Sequence, residues 1–124
     1  MEQIEILCTE LSESHATVLR IRGPLTLQTL FDFQNAVRRP GIHNTIIDLT
    51  EVPFIDSAGL GSLLSHWAHT QRTGDKFAIA GVCARVQVLF DLTKVNTLLP
   101  CFATAEDAER NFLNGSGAAS AVSV

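Results

Sequence analysis

Asn44-Thr45-Ile46-Ile47-Asp48-Leu49 and, shortly after it, Phe54-Ile55-Asp56-Ser57-Ala58-Gly59-Leu60-Gly61 carry the chain from a strand into a helix. The first run is short and rich in β-branched and apolar residues, as expected for a central strand covered on both faces. Beyond Ser57, residues Leu60, Leu63, Leu64, Trp67 and Ala68 fall at i, i+3, i+4, i+7 and i+8, the spacing of an amphipathic helix. That helix is predicted to run to about Arg72, with Gly74 at its end and Asp75 in the turn. The junction presents the Ser57 hydroxyl at a helix N-terminus, where unpaired N–H groups and the positive end of the dipole meet. Ala58, Gly59 and Gly61 are small enough to let another protein approach. Two readings are open at this point: a site for a regulatory phosphate, or simple capping, since Asp56 and Ser57 are both ordinary N-cap residues.

Working outward, Ile4 to Thr9 and Ala16 to Arg22 have strand composition, with Glu13, Ser14 and His15 suited to the turn of a hairpin. Gly23-Pro24 ends the second strand, and Leu27, Leu30, Phe31 and Val37 predict a first helix over about Thr26 to Arg38, before Pro40-Gly41. After the Ser57 helix come a buried strand, Lys76 to Ala80, and a short helix carrying Val86, Leu89 and Phe90, joined by Val88 and Leu92. Leu98 to Phe102 suits an edge strand tolerant of Pro100. Thr104-Ala105-Glu106-Asp107 is a variant capping box opening a last helix, whose Ala105, Ala108 and Phe112 can face the core. The order β-β-α-β-α-β-α-β-α predicts an α/β fold: a mixed sheet of about five strands with four helices and right-handed crossovers. Residues 1–113 read as a single domain, and residues 114–124, rich in Gly, Ser and Ala, as a flexible tail whose removal should be tolerated.

With 124 residues and 46% hydrophobic content, the chain can bury one core. A net charge of −4 without a basic cluster argues against nucleic acid or an anionic membrane surface as the main partner. Cys8, Cys83 and Cys101 are odd in number and widely separated, which suits free thiols in a reducing compartment. With no leader-like start and no apolar run long enough for membrane insertion, a cytoplasmic location is expected.

No catalytic constellation or cofactor motif emerges. Gly59-x-Gly61 lacks the third glycine of a dinucleotide fingerprint, where Leu64 stands, and no phosphate-binding G-x-x-x-x-G-K-[ST] sequence occurs. Ser57 lacks the preceding glycine of a nucleophile elbow, and nothing in the spacing of His15, His43, His66 or His69 assigns a base to it. His66 and His69 lie three apart on the predicted helix but have no third ligand, so a solvated helix face is the better reading than a metal centre. Asp48 and Asp56 have structural uses at a strand end and a helix cap. Binding is therefore favoured over catalysis.

Together, Ile46-Ile47-Asp48-Leu49, Phe54 to Gly61 and Ala84-Arg85-Val86-Gln87-Val88-Leu89-Phe90-Asp91-Leu92 resemble a STAS domain, and within it the bacterial anti-anti-sigma factors, over about residues 4 to 113. The resemblance implies helices against one face of the sheet and a non-enzymatic anti-sigma factor antagonist. Ser57 matches the serine phosphorylated by a partner anti-sigma factor that is also a serine kinase, with the ATP site on that partner. A serine phosphatase would reset the switch. The implied partner surface is Thr26, Asp56, Ser57, Ala58, Gly59, Leu60 and Gly61. At Gly23-Pro24-Leu25-Thr26 the chain departs from the Gly-x-Leu-Asp of many regulatory relatives, and Thr26 supplies no carboxylate, although it can cap the first helix. The other reading is a STAS scaffold without phosphorylation, or a ligand-responsive subunit of a transport or signalling complex.

Overall fold

A computed structural model describes residues 3–114; of the tail expected over 114–124, all but Asn114 lies outside the described residues. The elements are β1 (Glu5–Leu11), β2 (Ala16–Arg22), α1 (Leu30–Val37), β3 (Asn44–Glu51), α2 (Ser57–Thr73), β4 (Phe77–Ala80), α3 (Ala84–Thr93), a 3-10 turn (Val95–Thr97), β5 (Cys101–Phe102) and α4 (Ala105–Leu113). The five strands lie in chain order in one sheet, β1 antiparallel to β2 and every later neighbour parallel. This is the mixed five-stranded, four-helix α/β architecture that the sequence predicts.

Successive crossovers of one hand, stepping the same way across a sheet, stack their helices on one face. Leu19, Ile47, Leu49, Phe77 and Ile79 of that face meet Phe33 of α1, Leu60 and Leu63 of α2, and Val86 and Phe90 of α3. The expected single layer of helices holds for these three and fails for α4. Because α4 follows the last strand it is not a crossover, and the handedness rule does not place it. It folds under the sheet, where Ala108 and Phe112 pack on Ile46, Ala78 and Ala80.

The bounds of the first helix and of the edge strand are corrected. The first helix starts at Leu30, not Thr26: Thr29 accepts from the Thr26 N–H at 2.9 Å and donates to the Pro24 carbonyl at 2.8 Å, which holds a separate turn ahead of the helix. Leu30, Phe33 and Ala36 face the core, leaving Leu27 and Phe31 about two-thirds exposed. On α3, Val86 and Phe90 are buried while Val88 and Leu92 point to solvent. The edge strand shortens to Cys101–Phe102; Pro100 precedes it and contributes only its carbonyl, which accepts from the Ile79 N–H at 2.8 Å.

His66 does not lie on a solvated face. It is buried on α2, shares a 2.9 Å hydrogen bond with the Thr45 hydroxyl, and meets Phe33 and Phe77 edge-on. Burial, and secondarily the neighbouring His69, pushes the His66 imidazole down to about 4. Below about 6.5 the unfolded chain binds a proton that the fold resists, so this contribution is complete above that pH and is lost as pH falls toward 4. The expected loss is about 2 to 3 kcal/mol. Urea midpoints at pH 7.5 and 4.5 should shift less for His66→Gln than for the parent; equal shifts would remove His66 as the cause.

Candidate functional site

The parallel strands β2 and β3 end at the same edge of the sheet, and the loops leaving them are sewn together. Leu25 and Ile55 form an isolated parallel bridge, the Leu25 N–H donates to the Phe54 carbonyl at 3.2 Å, and the Asp56 N–H donates to the Leu25 carbonyl at 3.2 Å. Crevices beyond the carboxyl ends of parallel strands are where α/β sheets present functional groups.

Asp56 is the N-cap of α2. Its Oδ1 accepts from the Gly59 N–H at 2.8 Å and its Oδ2 from the Leu27 N–H at 3.0 Å, so one carboxylate caps the helix and ties it to the neighbouring loop. The hydrogen bond from Gly59, helped by those from Leu27 and Ala58, holds the Asp56 carboxyl below its ordinary value, and partial desolvation opposes this. Asp56 is therefore ionised at neutral pH. Since Asp56 takes the cap, Ser57 becomes the first helical residue and its side chain is exposed. Of the two roles open at this junction, capping falls to Asp56.

The other expected contact residues separate by depth. Ala58 is partly exposed and Gly61 exposed, with nothing within 4 Å of where a Cβ on Gly61 would stand. Thr26, Gly59 and Leu60 are buried. A Cβ on Gly59 would lie 2.0 Å from the Leu25 carbonyl oxygen, so this glycine makes room for the chain's own loop. Thr26 accepts from the Gln28 N–H at 3.2 Å and, through its carbonyl, from Leu30 at 2.8 Å, which places it in the loop wall and not at the N-cap of α1.

Sequence reasoning missed the apolar rim. Leu27, joined to Asp56 through its backbone, and Phe31 one turn on are exposed on one side. On the other, Phe54 and Ile55 line a groove with Val88, Leu89 and Leu92, and the Arg85 guanidinium lies over the Phe54 ring at 5.0 Å. Their i, i+4 spacing could have signalled an outward stripe, had it not equally suited a buried one. Asp48 accepts from Arg20 at 3.2 Å and from the Thr50 hydroxyl, a structural use inside β3 and not at its end. His66 and His69 stack with ring centroids 6.4 Å apart, and among the described residues no group of three or more His, Cys, Asp or Glu could hold a metal. No described helix is long and apolar enough to cross a membrane.

Residues 9–108 match the family model of the STAS domain. The chain is 26% identical over 84 residues to the anti-sigma-B factor antagonist of Staphylococcus epidermidis, covering 65% of this chain and 78% of that one. Its fold resembles the crystal structure of a putative anti-sigma factor antagonist from Thermotoga maritima, with TM-score 0.78 at 17% identity over 86% of this chain and 93% of that one. It also resembles the Bacillus cell fate determinant SpoIIAA in its phosphorylated form, with TM-score 0.62 at 16% identity over 84% and 96% of the two chains.

Proposed function

The chain belongs to the STAS domain family, and from that premise we propose that it is an anti-sigma factor antagonist, switched by phosphorylation of Ser57. Unmodified, it binds an anti-sigma factor that is also a serine kinase and so frees the sigma factor; phosphorylation by that kinase ends the complex, and a serine phosphatase restores it. Residues 1–113 act as the one switching domain. The observation that carries the reading is the division of labour at α2: Asp56 caps the helix, so the exposed Ser57 hydroxyl is not used for capping. The named function of the staphylococcal relative supports the same reading.

The contact surface follows from depth. Asp56, Ser57, Ala58 and Gly61 meet the partner, while Thr26, Gly59 and Leu60 shape the loops beneath them. Leu27 and Phe31 extend the surface with apolar area of the kind that anchors interfaces. The chain itself performs no catalysis in this scheme, and ATP is held by the kinase.

Incubation with the cognate anti-sigma kinase, ATP and magnesium should add one phosphate, which peptide mass mapping should place on Ser57. Ser62 is buried and donates to the Gly59 carbonyl at 2.7 Å, and Ser65 lies deeper in the helix. Modification confined to either would reject the assignment. Co-purification with transporter subunits in place of an anti-sigma factor would favour a scaffold.

A further inference from the structure

A cleft of about 370 Å³ opens between the end of α1 and the C-terminal half of α2. Arg38, Arg39 and Arg72 line it together with Ser65, His69 and the buried His66, and no aspartate or glutamate does. In a chain with 13 acidic and 9 basic side chains, gathering three of the nine cations around one acid-free recess runs against the composition. Other arginines are engaged: Arg20 with Asp48, Arg22 with Glu5 and Glu51, Arg110 with Asp107, and Arg85 over Phe54. Arg38 and Arg72 enter no ion pair among the described residues, and Arg39 reaches the Cys8 thiol at 3.6 Å, a contact that neutralises no charge.

Like charges brought to one recess repel one another until an anion joins them, and guanidinium forks match the oxygens of phosphate. The volume lies in the range of small-molecule sites. We propose that this cleft binds a small phosphate-bearing anion, either a phosphate ester or a polyphosphate, through Arg38, Arg39 and Arg72. Compensation of the α2 dipole accounts for Arg72 in the last helical turn. It does not account for Arg38 and Arg39, from a separate segment, lining the same recess. The site stands apart from Ser57 and does not depend on the antagonist reading.

The test is an NMR titration of the full chain with inorganic pyrophosphate and, separately, glucose 6-phosphate, against sodium chloride at matched ionic strength. Saturable shifts should centre on residues 34–39 and 62–72, with at least tenfold weaker affinity in Arg38→Gln/Arg72→Gln and no saturation in Ser65→Asp. Both variants alter exposed positions and should keep the parent's circular dichroism. Tighter binding of glucose 6-phosphate assigns the ester, and tighter binding of pyrophosphate the polyphosphate. Shifts that do not saturate, that chloride reproduces, that the double substitution leaves unchanged, or that centre on Ser57–Gly59 overturn the proposal.

Discussion

Gly59→Ala should destabilise the chain by about 3 to 5 kcal/mol and separate the two loops of the Ser57 site. The new Cβ would stand 2.0 Å from the Leu25 carbonyl oxygen and 2.7 Å from its carbon, and both obstacles are backbone. No rotamer change relieves such a clash, so the Gly23–Leu27 loop must retreat. Its retreat breaks the hydrogen bond from Asp56 to the Leu25 carbonyl and the one from Leu27 to the Asp56 carboxylate. Gly61→Ala, two positions on, should do the reverse. Its Cβ meets nothing within 4 Å, and alanine in an exposed helix is favoured over glycine by up to about 1 kcal/mol. Urea unfolding of the two variants beside the parent checks the opposite signs; equal stabilities would mean the loops are not packed through Gly59.

Phosphate on Ser57 should weaken the anti-sigma factor complex by about a thousandfold, some 4 kcal/mol. The group brings about 1.5 to 2 negative charges. Two of the acceptor sites on the ionised Asp56 are already filled by the Gly59 and Leu27 N–H groups, so the capping hydrogen bonds of α2 go to that carboxylate and not to a phosphate beside it. The helix dipole offers an exposed anion only about 0.3 to 1 kcal/mol. The phosphate therefore stays at the surface, beside a like charge, and docking must desolvate it without a matched cation. Because the group projects outward, the fold itself should barely change. In a competition assay the unmodified chain should release sigma factor from its anti-sigma factor, and the phosphorylated chain should fail at the same concentration. Ser57→Asp should fall between the two.

Local signals carried the central strand and the second helix, though not the start of the first. The β-branched run through Ile46 and Ile47, the helical spacing from Leu60 to Ala68 and the left-handed Gly74 at the end of α2 each depend on near neighbours, and the structure reproduces them. What escaped the sequence depends on contacts between distant segments. Leu27 and Phe31 fit a helical stripe as well as Leu30, Phe33 and Ala36 do, and only docking on the sheet chose the second set. The same ambiguity hid the exposure of Val88 and Leu92. His66 is buried because Thr45, Phe33 and Phe77 converge on it from three other elements. Gly59 looked like room for a partner, and its space is taken by the Leu25 carbonyl from the preceding loop. At the site itself, the serine at the helix start was legible. The cap at Asp56 was legible too; its second hydrogen bond, from the Leu27 N–H across the neighbouring loop, was not.

The most direct test of the antagonist reading is calorimetric titration of the purified anti-sigma factor with three folded forms of the chain: unmodified, phosphorylated on Ser57, and Ser57→Ala. The account predicts similar tight binding by the unmodified and alanine forms, because losing an exposed hydroxyl leaves Asp56, Ala58 and Gly61 in place, and binding about a thousandfold weaker by the phosphorylated form. Equal affinity for all three would contradict it and make Ser57 a structural residue of a scaffold.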